Sequence, residues 1–315
     1  IFLVANIGGS LSPLGDPPLF LGFLKGVSFF WPTTAMFLPM LFLSVILLVV
    51  YYALDSFMHR REDEIVPMNN IETGNEGEKL GLEGSVNLLL LAGIVGFVLY
   101  SGFADDLPAP FGTTAHFLIY DVDIKLANLV RDVGLVALAG LSLLLTVNES
   151  RRLNGFTWFP IIEVATLFAG IFMTIIPALS ILRAGTEGAL GWVIEGVTQP
   201  DGTPFNAAYF WATGLLSSFL DNAPTYLVFF NTAGGDPEQL MGELSGTLLA
   251  ISAGAVFMGA VTYIGNAPNF MVRSIAEDRG IKMPSFFGYM AWSVCILMPL
   301  FVLVTFLFFN PLTGN

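Results

Sequence analysis

Two aspartates and three asparagines stand in stretches otherwise apolar enough to sit inside a bilayer. Asp16 lies in SPLGDPP, Asp221 and Asn222 in SSFLDNAPTYLVFF, and Asn266 and Asn269 in TYIGNAPNF. Charged and amide groups are costly at that depth, and where they occur they line a cavity or an ion path. A carboxylate in a low-dielectric cavity needs a counter-charge, so a proton and a metal cation compete for it. That competition is the chemistry of cation/proton exchange. Asparagine adds neutral carbonyl oxygens, which suit a hard, weakly held cation. Asp221 is the expected exchange group, and Asp221, Asn222 and Asn266 are the expected sodium ligands. Each has a competing structural role. Asp221 would cap the helix that follows it, and the asparagines, Asn269 above all, would satisfy backbone groups freed by nearby prolines.

These residues need elements that bring polar tips to mid-membrane. Asn-Ala-Pro occurs twice, at residues 222–224 and 266–268, each time where a spanning helix would otherwise continue. Pro18, Pro224 and Pro268 shape such breaks. Interrupted helices at the bilayer midplane are how secondary transporters expose backbone groups to their cargo.

Composition sets the class. Hydrophobic residues make up 55% and charged residues 12% of the 315, with a mean hydropathy of +0.74, against roughly 25% charged in a soluble domain. A soluble globular protein is excluded. So is a β-barrel, whose strands alternate over about ten residues, because the apolar runs here are uniformly greasy over about twenty. One cysteine, Cys295, and two distant histidines, His59 and His116, exclude a disulfide framework and a Cys/His metal cluster. The net charge of −13 does not require a basic partner: of the 25 acidic residues, eight fall within residues 55–83, where a solvated loop explains them more simply.

In chain order, residues 1–30 read as a half-helix, a break at residues 12–18 and a second half-helix. Spans follow at about 33–54, 85–103, 126–147 and 157–182. Glu163 stands early in the last of these, and Arg131 and Asp132 form a pair at the end of the one before. Residues 207–233 are too interrupted for a span and read as a re-entrant hairpin. A helix broken at residues 265–269 and a last span at about 285–309 complete the chain. With the hairpin re-entrant, Arg60, Arg61, Lys79, Arg151, Arg152, Arg273, Arg279 and Lys282 share one face, as positively charged cytoplasmic loops require. The acidic loop is then cytoplasmic and the C-terminus outside.

SPLGDPPLFLG at residues 12–22 aligns with TYIGNAPNFMV at residues 262–272, pairing Gly15 with Gly265, Asp16 with Asn266 and Pro18 with Pro268. The two copies run in opposite directions through the membrane, which makes an inverted repeat with a site near the midplane. The expected fold is an all-α polytopic membrane protein, an inverted-repeat transporter of about seven spans with a re-entrant hairpin and broken helices. Residues 1–54 end the first repeat, 55–84 form the acidic loop, and 85–315 form the second repeat, with hairpin 207–233 and broken helix 244–272.

IEVATLFAGIFM, SSFLDNAPT and YIGNAP, with ANIGGSLSPLGDPPL at the start, resemble the ion transporter superfamily of NhaD-type sodium/proton antiporters, arsenite permeases, citrate transporters and sodium/dicarboxylate symporters. The resemblance covers most of the chain and implies that four further spans and an inner hairpin lie upstream. It implies two pseudo-symmetric cation sites. One would use Ser217, Ser218, Asp221, Asn222 and Thr225 with Thr262, Gly265, Asn266 and Asn269; the other would retain Ser10, Ser12, Gly15 and Asp16. Asp-Asn-Ala-Pro-Thr at the hairpin tip replaces the symporters' Ser-Asn-Thr signature, which moves the comparison toward the antiporters. The resemblance also implies a homodimer in a bacterial inner membrane.

The expected function is sodium or lithium exchange for protons by alternating access, with no cofactor, no nucleic-acid partner and no enzymatic activity. The alternative within the fold is a carrier of citrate or another organic anion coupled to sodium, protons or a divalent metal. Two acids without a neighbouring lysine or arginine would repel a trianion unless a cation intervened. An intramembrane aspartyl protease would need Gly-x-Gly-Asp, and Pro13 occupies the first glycine position. A zinc type would need HExxH. A non-transporting scaffold would have no use for Asp221.

Overall fold

The computed structural model describes residues 1–60, 84–104, 107–108, 111–119, 122–158, single positions scattered through 161–188, then 191–278 and 280–309. Glu163, Arg183, Arg279, Lys79 and most of the acidic loop lie outside the described residues. The protein is an all-α polytopic membrane protein. Its chain forms two compact units, residues Ile1–Ser56 with Phe159–Asn315, and Phe57–Trp158.

In the first unit, a 3₁₀ turn Ile7–Leu11 leads through an extended break into α1 (Pro17–Leu24), then α2 (Trp31–Ala35) and α3 (Phe37–His59). Further on come α7 (Gly191–Val197), α8 (Asn206–Phe219), α9 (Asn222–Thr232), α10 (Pro237–Met241), α11 (Ser245–Met258), a 3₁₀ turn Gly259–Val261, α12 (Ala267–Asp278) and α13 (Phe286–Phe308). The second unit holds α4 (Val86–Phe103), α5 (Leu126–Leu145) and α6 (Asn148–Leu153).

Among the described residues, four helices, α3, α4, α5 and α13, are long and apolar enough to cross a membrane. They fall within a few residues of the expected spans, because about 20 apolar residues at 1.5 Å each are what the hydrocarbon core requires. The difference is largest at α3, which continues past residue 54 to His59. Asp55 is exposed there, and one exposed acid does not end a helix whose backbone hydrogen bonds are all internal.

The core of the first unit is α11. It is apolar on every side and buried from Ala250 to Met258, as a helix without a polar face must be. Packed against it are α8, α9 and the first 3₁₀ turn. Between α8 and α9 the chain turns at Leu220 and Asp221, so the two helices form a hairpin. Its arms have 14 and 11 residues, about 21 and 16 Å of helix. Neither arm could span about 30 Å of hydrocarbon.

In the second unit α4 and α5 run antiparallel. Asn87 near the start of α4 bonds Ser142 (2.9 Å) and Thr146 (2.9 Å) near the end of α5, while Arg131 reaches Ser101 near the end of α4 at 3.4 Å. Arg131 also pairs with Asp132 at 2.8 Å, on the first turns of α5. The sequence pattern assigns no element to residues 104–125. They contain strands β1 (His116–Ile119) and β2 (Val122–Lys125), antiparallel with His116 opposite Lys125. Four-residue strands are too short for a period-2 pattern to stand out from an apolar background.

Candidate functional site

Both helix breaks meet the hairpin tip in the interior of the first unit, and their backbones are built alike at a separation of 250 residues. Each begins with a 3₁₀ turn and leaves it through an extended residue, Ser12 (φ −150°, ψ 155°) or Thr262 (φ −127°, ψ 166°). Each then restarts as a helix immediately after Asp16 or Asn266. Both are closed by a glycine pair. A Cβ on Gly15 would strike the carbonyl of Gly9, and one on Gly265 would come within 2.6 Å of the carbonyl of Gly259. Only a residue without a side chain lets the backbone approach itself that closely.

A buried break frees carbonyls and amides that lipid cannot satisfy, and the second break shows where they go. Ser217 Oγ donates to Ala255 O (2.7 Å) and Ser218 Oγ to Met258 O (2.9 Å). Asn269 Nδ2 donates to Gly259 O and Thr262 O, both at 2.8 Å. From α13, Tyr289 Oη donates to Ala260 O (2.7 Å) and Ser293 Oγ to Val261 O (2.5 Å). Thr262 Oγ1 donates to Ser218 O and accepts from Gly265 N at 3.1 Å. Thr225 bonds back to Asp221 O at 3.0 Å inside α9. Of the first-half residues, Ser10 bonds Ile7 O (2.7 Å), and Ser12 gives its carbonyl to Gly15 N (3.0 Å). Ser217, Ser218, Thr225, Thr262 and Asn269 therefore hold the scaffold together.

The two aspartates differ. Each is the N-cap of a helix, Asp16 of α1 and Asp221 of α9. Asp221 caps its helix, accepting from Ala223 N at 3.4 Å, and is only partly buried. Asp16 makes no capping bond and is 3% exposed. The cause lies in the next two residues. Pro17 and Pro18 occupy the first two positions of α1 and have no N–H to offer, whereas Asn222 and Ala223 both have one.

Freed from its own helix, the Asp16 carboxylate meets the other two elements. Asn222 Nδ2 donates to Asp16 Oδ1 at 3.0 Å, and Asn266 Nδ2 reaches Oδ1 at 3.3 Å and Oδ2 at 3.4 Å. Asn6, which the sequence pattern does not single out, links the cluster to the scaffold. Its Oδ1 accepts from Asn266 Nδ2 (3.1 Å) and its Nδ2 donates to Asn269 Oδ1 (2.7 Å). The only signal for it is a lone amide in the apolar run IFLVANIGG. All four asparagines are at most 1% exposed.

Asn222 Oδ1 and Asn266 Oδ1 are buried without a hydrogen-bond partner. Among the described residues the hydroxyls of Thr213 and Ser252 share that status, but a hydroxyl on a helix can rotate to a carbonyl one turn back. An amide whose nitrogen is already held cannot. Two unmatched carbonyl oxygens therefore flank one buried carboxylate. No lysine, arginine or histidine among the described residues bonds to this cluster. Arg273 on α12 instead pairs with Glu277 (3.0 Å) and covers the Tyr263 ring at 4.9 Å.

A family model described as "Putative citrate transport" matches residues 1–309. The chain belongs to that family. No curated protein and no solved structure matches it. As a member of the citrate transporter-like family, the protein is an integral membrane transporter, and the buried cluster of Asp16, Asn222 and Asn266 is the polar centre of its first unit.

Proposed function

We propose that the protein is a secondary active transporter that exchanges sodium or lithium for protons by alternating access, and that Asp16 is the group the two cations share. The observation that carries this reading is a buried carboxylate whose partners are neutral amides. In one loaded state the carboxylate holds a proton, and in the other it holds a cation helped by amide oxygens. The glycine-closed breaks and the short hairpin arms support a midplane site reached from each side in turn, in an inverted repeat. Asp221, one residue before Asn222 at the hairpin tip, caps α9 and serves in this reading as a structural group rather than the exchange group. Lipid bilayer and a second copy of the chain are the expected surroundings.

The family description favours a second reading, transport of citrate or another carboxylate. With an acid and no cationic side chain in the cluster, such an anion would arrive with sodium or as a metal complex. One experiment separates the two. The full-length protein is reconstituted in liposomes with an internal pH dye, a proton gradient is imposed, and sodium, lithium, potassium or citrate is added in turn. Proton movement on sodium or lithium alone, lost in Asp16→Asn and kept in Asp221→Asn, supports antiport at Asp16. Movement only with citrate plus sodium or a divalent metal overturns it in favour of the anion carrier.

A further inference from the structure

We propose that the β1–β2 hairpin of the second unit lies flat in the headgroup layer of the bilayer, with its Phe117 face turned to lipid and its His116 face to water, and that it holds the adjoining ends of α4 and α5 at a fixed depth. Its partner is the membrane surface, recognised through apolar burial rather than through charge. This anchoring is independent of the cargo.

The register of the two strands creates unlike faces. Phe117 stands opposite Ile124, and His116 opposite Lys125. Residues directly across a ladder share a face, and neighbours along a strand alternate. Phe117 and Ile124 therefore lie on one side and His116 and Lys125 on the other. Two steps along the ladder from Phe117, Ile119 pairs with Val122, so the apolar register continues. Phe117 is 48% exposed, which leaves the apolar side half uncovered among the described residues. On the other side His116 and Lys125 are exposed, as groups that keep contact with water must be. Leu118 shares that side and is 74% exposed.

A hairpin of two strands is marginal in water, and one with an apolar face gains by covering it. Position selects the cover. β2 ends at Lys125 and α5 begins at Leu126 with no residue between them. Leu126 N donates to Ala115 O at 2.8 Å, and Thr113 N donates at 2.9 Å to the carbonyl of Ala104, the residue that follows α4. The hairpin is thus tied to the ends of two helices long and apolar enough to cross a membrane, where hydrocarbon gives way to headgroups. Leu129, Val130 and Val133 are exposed on α5, so that helix's exposed apolar surface begins within one turn of β2. Lipid is the apolar medium at that place.

The same sheet cannot go deeper. It has two strands, so each has an outer edge of unpaired N–H and C=O groups, which hydrocarbon does not satisfy. Water has to reach the edges while lipid covers one face. The boundary between headgroups and acyl chains provides both, as it does for amphipathic helices that lie in the membrane plane.

The test uses the full-length protein in liposomes, in a Cys295→Ser background, with a spin label attached at Phe117→Cys or at Leu118→Cys. Collision of the label with oxygen, which concentrates in the bilayer, is compared with its collision with a nickel chelate confined to water. The expected result is an oxygen-to-nickel ratio several-fold higher at position 117 than at 118, in vesicles of phosphatidylcholine alone and equally in vesicles that include phosphatidylglycerol. Free access of nickel to both positions would place the hairpin in water and overturn the anchor. Shielding of position 117 from oxygen and nickel alike would mean that protein covers this face, and overturns it too. High oxygen and low nickel collision at both positions would bury the whole hairpin in hydrocarbon and overturn the flat placement. A contrast seen only with phosphatidylglycerol would make charge the basis of binding and overturn the apolar one. Ile124→Cys, on the same face as Phe117, repeats the measurement should Phe117→Cys fail to fold.

Discussion

The contrast between Asp16 and Asp221 comes down to which residues follow each one. An N-cap aspartate ordinarily satisfies an amide of the first turn, worth about 1 kcal/mol, and Asp221 does so through Ala223. Asp221→Ala should therefore lower the melting temperature of the detergent-solubilised protein, consistent with a loss of about 1 kcal/mol. Asp221→Asn should restore it, because asparagine caps equally well. At Asp16, Pro17 and Pro18 remove the first two amides of the helix, and the third, Leu19 N, goes to the Asp16 carbonyl at 3.1 Å rather than to its side chain. Pro18→Ala restores one of these amides, and the Asp16 side chain is then drawn toward its own helix. Half-maximal sodium in the liposome assay should rise several-fold while the maximal rate falls less. An unchanged value would mean that the prolines do not set the direction of the carboxylate.

At the scale of elements, each break depends on a backbone-to-backbone contact that any side chain would disturb. The Gly265 Cβ position lies 2.6 Å from Gly259 O and 2.9 Å from Ser217 O, whereas the Gly259 position has 3.3 Å to its nearest neighbour. Gly265→Ala should destabilise the protein by about 1–3 kcal/mol through forced backbone movement, and Gly259→Ala by clearly less. Thermal unfolding in detergent compares them, and equal melting temperatures would show that the breaks tolerate separation. The latches from α13 act on the same turn. Tyr289→Phe leaves the buried Ala260 carbonyl unpaired, at a cost of about 1–3 kcal/mol, and should lower the melting temperature without changing the sodium dependence. The hairpin and the broken helix are legible in the amino-acid sequence, since Asn-Ala-Pro inside apolar runs is a sufficient signal for an interruption. The β1–β2 pair is not, because its strands are shorter than any reliable period.

At the scale of the whole molecule, the distribution of positive charge leads us to propose that the acidic loop faces the cytoplasm. A cysteine introduced by Asn75→Cys in a Cys295→Ser background should then react with an impermeant maleimide in inside-out vesicles and not in intact cells. Labelling of intact cells would reverse the topology. Composition and run length by themselves determined that this is a helical membrane protein, and they placed its described spans closely, because the thickness of hydrocarbon dictates the length of any segment that crosses it. The sequence also marked Asp16, Asp221, Asn222, Asn266 and Asn269 as unusual, since polar groups in apolar runs stand out. Read from sequence alone, Asp221 ranks first as the exchange group and Asn269 first as a structural residue. Both aspartates precede a helix, and capping and cation binding ask for the same side chain. Only the tertiary structure decided that Asn269, Ser217, Ser218 and Thr262 satisfy the backbone of the break, and that Asn6 is part of the cluster. It alone brought Asp16 against Asn222 and Asn266 across more than two hundred residues of chain. Whether a buried polar atom holds the fold together or remains free for a ligand depends on which partners folding places within about 3 Å of it, and that proximity is a property of packing rather than of local sequence.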